Sequence, residues 1–115
     1  MDKNLITNFF LNGPFKIPLW KKIVEKCPSC RYTNWFTVKI DGLNIQDIGN
    51  KNLVLGTLHC NVKNDYGENK EEKFFLYHFA FIQDKNPPYL PLDKEDIHLE
   101  YISEGDEPYP YETSY

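Results

Sequence analysis

LVLGTLHCNV (residues 53–62), KNDYGENKEEK (63–73) and FFLYHFAFI (74–82) run consecutively, and their reading decides the fold. Two runs rich in β-branched, aromatic and leucine residues flank a charged segment holding Asn, Asp and Gly, the residues that turn a chain back on itself. The stretch predicts a β-hairpin. In its first strand Val54, Leu58, Cys60 and Val62 share one face, and Leu53, Leu55, Thr57 and His59 share the other. The second strand is apolar on both sides, with Phe75, Tyr77, Phe79 and Phe81 against Phe74, Leu76, Ala80 and Ile82. A strand with no polar face belongs in the middle of a sheet, covered on both sides.

Upstream, WFTVKI (35–40) alternates cleanly, and Asp41-Gly42 is a turn signal. LNIQDIGNKN (43–52) reads as a short strand or a helical turn, broken at Gly49-Asn50. Before these, DKNLITNFFL (2–11) places Leu5, Ile6, Phe9 and Phe10 at helical spacing, and Asn12-Gly13-Pro14 stops the helix. Pro18 opens a second helix of about two turns, with Leu19, Trp20, Ile23 and Val24 facing inward, ended by Cys27-Pro28.

Downstream, DKNPPYLPL (84–92) holds three prolines and no regular element, and IHLEYI (97–102) alternates as a closing edge strand. The expected class is α+β: one antiparallel sheet of four to five strands with two short N-terminal helices packed on it, over residues 1–102. Residues 103–115, SEGDEPYPYETSY, contain no aliphatic side chain and no base, and predict a disordered acidic tail.

At 115 residues one domain is expected, and 16% aromatic content excludes the disordered class for the chain as a whole. No apolar run approaches the roughly 18 residues of a membrane span. The N-terminus shows no basic segment followed by an apolar one, so no secretory signal is expected. Three cysteines cannot all pair within the chain, which points to a reducing compartment, the cytoplasm.

The net charge of −4 conceals a split. Residues 1–39 hold seven bases against Asp2 and Glu25, a net +5, whereas residues 84–115 hold nine acids against Lys85 and Lys94, a net −7. Such a division speaks to partners rather than to fold.

Four kinds of site follow from the residue types. Cys27-Pro-Ser-Cys30 resembles the first half of a zinc ribbon over about a dozen residues, since such a turn aims two sulfurs at one tetrahedral ion. The second Cys-x-x-Cys of a ribbon is missing. A structural zinc would therefore draw on Cys27, Cys30, Cys60 and His78, the last two meeting if the hairpin register puts them on one face. A redox role for the same pair fits poorly, because it follows a helix rather than opening one. The alternative to both is a surface turn, with Cys60 as a buried hydrophobe.

Catalysis finds little. Cys60 with His59 or His78 has the residue types of a cysteine enzyme, but a mid-strand cysteine on an apolar face is ordinarily core. Neither a phosphate loop nor a hydrolase signature occurs. The basic third interleaves Lys21, Lys22, Lys26 and Arg31 with Trp20, Tyr32, Trp35 and Phe36, a pattern in which cations hold phosphates and aromatics stack on bases. An isoelectric point near 5.3 counts against it, and solvation of one helix face explains the lysines equally well. The acidic end offers Glu104, Asp106 and Glu107 with Tyr109, Tyr111 and Tyr115, groups suited to capturing a protein with a basic surface.

From sequence, the leading expectation is a small, non-enzymatic, cytoplasmic protein-binding or inhibitory module acting through this acidic region. The rival is a zinc-stabilised nucleic-acid accessory domain using the basic aromatic face.

Overall fold

A computed structural model describes residues 3–33, 35–64, 71–86 and 97–105. Two helices, α1 (Lys3–Leu11) and α2 (Lys16–Lys26), lead through a 3₁₀ turn (Pro28–Tyr32) into four strands. These are β1 (Trp35–Asp47), β2 (Lys51–Asn64), β3 (Glu71–Asp84) and β4 (His98–Gly105). The strands form one antiparallel sheet in the order β1-β2-β3-β4, so the α+β class expected from the sequence holds. The hairpin of residues 53–82 supplies its two central strands, although the 65–70 connection lies outside the described residues.

Pro18 is the third residue of α2, within the first turn, where a missing N–H costs nothing. Cys27 then donates its N–H to the Ile23 carbonyl at 2.8 Å, and Pro28 prevents continuation.

Both helices lie on one sheet face. Ile6, Phe10, Phe15, Leu19 and Ile23 join Val38, Ile40, Val54, Leu58, Cys60, Val62, Phe75, Tyr77, Phe79 and Phe81 in one core. Aromatic contacts fasten the layers: Phe10 meets Phe79 at 5.2 Å between centroids and Phe15 meets Phe81 at 5.0 Å. Gly56 faces Phe79 across the β2–β3 pair, and a Cβ there would stand 2.7 Å from the ring. The glycine makes room for the aromatic.

Two expectations are corrected. Asp41-Gly42 is not a turn: β1 runs through it as a bulge, with Gly42 in the left-handed region at φ 59°. The chain turns instead after Asp47, where Ile48 donates to the Lys51 carbonyl at 3.0 Å. Lys85 caps that turn, reaching the Gly49 carbonyl at 2.7 Å and Asp47 Oδ1 at 2.8 Å. At the other end, β4 extends past residue 102, pairing Ser103, Glu104 and Gly105 with Leu76, Phe75 and Phe74. The remainder of the expected tail, 106–115, lies outside the described residues.

Candidate nucleic-acid interface

The register decides which side chains meet. Cys60 pairs with Phe75, and Thr57 pairs with His78, so Cys60 faces the helices while His78 faces the opposite side. The four groups considered for zinc therefore do not converge. Cys27 and Cys30 are joined in a disulfide and Cys60 is a free, buried thiol in the same core. His78 Nδ1 stands 3.9 Å from Glu100 across the β3–β4 pair on the far face. Among the described residues no three His, Cys, Asp or Glu side chains are placed to hold a metal ion. Burial drives the Cys60 thiol pKa well up, which suppresses the thiolate that a cysteine nucleophile requires.

His59 lies on the face opposite the helices, between Lys39 and Leu76, and is only 6% exposed. Burial lowers its pKa to about 4; Asp41 opposes that shift and Lys39 reinforces it. The ring is neutral at pH 7. Of the six acidic-region residues named from sequence, Glu104 lies in β4 opposite Phe75. Asp106, Glu107, Tyr109, Tyr111 and Tyr115 lie outside the described residues.

The basic aromatic residues behave differently. Helix α2 divides its lysines between two flanks of its buried stripe of Leu19 and Ile23. Lys16, Ile17, Trp20 and Lys21, spaced i, i+1, i+4 and i+5, line one wall of a groove of about 790 Å³. Lys22 and Lys26 fall on the other flank, and Lys26 Nζ sits 4.5 Å from the Tyr101 ring centroid. The opposite wall comes from the 3₁₀ turn and the start of β1: Arg31, Thr33, Trp35 and Phe36. Thus Trp20, Lys21, Arg31, Trp35 and Phe36, five of the eight residues in the basic aromatic pattern, share the groove, whereas Lys22, Lys26 and Tyr32 do not line it.

Trp20 and Phe36 meet edge to face at 5.6 Å, joining the helix to the strand at the groove's base. Trp35 remains 43% exposed, with Lys63 of the neighbouring strand 5.8 Å from its ring. Arg31 donates to the Tyr32 hydroxyl at 2.7 Å, which restricts its guanidinium, and Tyr32 is 61% exposed. Among the described residues three cations and no carboxylate line the groove, in a chain whose acids outnumber its bases by four. In a concave wall of this kind, cations and aromatic faces can engage a phosphate backbone and its bases together.

Lys16 was absent from the sequence-based choice, although its i, i+4 spacing with Trp20, and Lys21 beside that, carried the signal. Lys63 was invisible, because only the β1–β2 register brings it opposite Trp35. Comparison with family models, with curated proteins and with solved structures gives no match for this chain.

Proposed function

We propose that the chain is a non-enzymatic binding module whose groove takes single-stranded nucleic acid. One observation carries this reading: Lys16, Lys21 and Arg31 line the same groove as Trp35, which is 43% exposed, with no carboxylate among the described lining residues. Duplex bases are already stacked, whereas an unpaired strand offers a base to Trp35 and phosphates to the three cations. The acidic remainder of the chain repels nucleic acid, so affinity is modest and falls quickly with salt.

The test is a fluorescence-anisotropy titration of the full chain against a labelled single-stranded oligonucleotide at several salt concentrations. Engagement of three phosphates gives log K falling against log salt with a slope of about −2. Absence of binding at low salt, or binding indifferent to salt, overturns the reading. Capture of a basic protein by the acidic C-terminal region rests on composition, since five of its six named residues lie outside the described part of the chain.

A further inference from the structure

We propose that the Cys27–Cys30 disulfide is a redox switch for the groove: the bridge holds the turn that presents Arg31, and reduction to two thiols releases it. This inference rests on the nucleic-acid reading and assigns that site its regulation.

The bridge closes the junction between the two groove walls. On one side Cys27 terminates α2, its N–H bound to the Ile23 carbonyl. On the other, Cys30 lies in the 3₁₀ turn, followed at once by Arg31 and, two residues later, by Thr33, both in the groove wall. Backbone bonds close the turn at its two ends, Cys30 N–H to the Cys27 carbonyl at 2.9 Å and Thr33 N–H to the Cys30 carbonyl at 3.0 Å. Each involves a bridged residue. A five-residue 3₁₀ turn is weak in isolation, because its hydrogen-bond geometry is poor and a short element recovers little of the entropy of ordering it. The cross-link and the burial of both cysteines (4% and 6% exposed) in the core hold it in place. Pro28 and Ser29, between the sulfurs, are exposed, so a reductant can approach from that side.

A dithiol reductant supplies the chemistry. Its thiolate attacks one sulfur of the bridge and forms a mixed disulfide, and the other protein sulfur leaves as a thiolate and takes up a proton. The reductant's second thiol then displaces the first protein sulfur, which is protonated in turn. Two electrons and two protons enter the protein, and the reductant departs as a disulfide. Cys27 and Cys30 become thiols in a turn with no covalent closure, and Arg31 loses its fixed position opposite Lys16 and Lys21.

The test uses the full chain with a chelator present, so that freed thiols meet no metal. After unfolding, the oxidised chain should give one thiol, that of Cys60, and the reduced chain three. Reduction should weaken oligonucleotide binding about tenfold, the loss of one charge-assisted contact, and flatten the salt slope from about −2 to about −1.4. Reoxidation should restore both. The double variant C27S/C30S should bind like the reduced chain and ignore oxidant. Equal affinity and slope in the two states overturn the switch, as do three thiols before any reductant is added. If neither state binds, the nucleic-acid reading falls and the switch is judged separately by amide resonances: those of Arg31 and Thr33 must move on reduction, and fixed resonances overturn it.

Discussion

Trp35 opens β1 with 43% of its surface exposed, where an indole adds nothing to the core. Its replacement therefore reports on binding rather than folding. Trp35→Ala should leave the unfolding midpoint nearly unchanged and weaken oligonucleotide binding by one stacked base, about 1–3 kcal/mol, while Trp35→Phe should retain much of the affinity. Trp20→Ala, which removes the contact with Phe36, should reduce stability as well. His59 makes a different prediction. Its folded pKa, about 4, lies below the ordinary 6.5, so the unfolded chain binds more protons between those values. Its contribution to stability is complete above pH 6.5 and is lost as pH falls toward 4. Between pH 7 and 5 the loss is about 2 kcal/mol, read as the difference in urea unfolding between the native chain and His59→Gln, whose stability should vary less over that range. Equal slopes would contradict it. The exposed position of Trp35 was legible because it alternates against Phe36 and Val38. The separation of Cys60 from His78 was not, since a single step of register moves every side chain to the other face, and nothing local fixes that step.

At the scale of elements, Gly56 and Phe79 form one packing unit. Gly56→Ala should destabilise by about 1–3 kcal/mol, because Phe79 is 2% exposed and wedged against Phe10, with no space into which to retreat. Adding Phe79→Leu should recover part of that loss by shortening the side chain, and purely additive effects in thermal or urea unfolding would count against the contact. The helices and the central hairpin could be read from periodicity, since their apolar spacings of 3.6 and 2 persist for two turns or more. The break at Gly49-Asn50 matches the β1–β2 turn, but the Asp41-Gly42 turn signal misleads for a physical reason. Asp41-Gly42 carries the chemistry of a turn, but a bulge requires the same left-handed glycine, and only pairing with β2 distinguishes them. The end of β4 was misplaced because Ser103, Glu104 and Gly105 have no strand propensity of their own and are held by Leu76, Phe75 and Phe74.

Over the whole molecule, charge sets the direction of the remaining prediction. Residues 106–115 carry Asp106, Glu107 and Glu112, so deleting them changes the net charge from −4 to −1. If the groove is the binding site, that deletion should tighten oligonucleotide binding, more at low salt than at high. If the acidic region is the functional end, the deletion abolishes capture of a basic protein. The charge split was plain in the sequence, but the concentration of three cations into one groove was not, because it depends on α2 turning Lys22 and Lys26 away. The most direct measurement is a two-dimensional NMR titration of the full oxidised chain with a short single-stranded oligonucleotide. The groove account predicts shifts concentrated at Lys16–Lys21, Arg31, Thr33 and the Trp35 indole N–H, with His78 and Glu100 on the far face undisturbed. Shifts confined to the C-terminal acidic residues, or spread evenly over the surface, would contradict it.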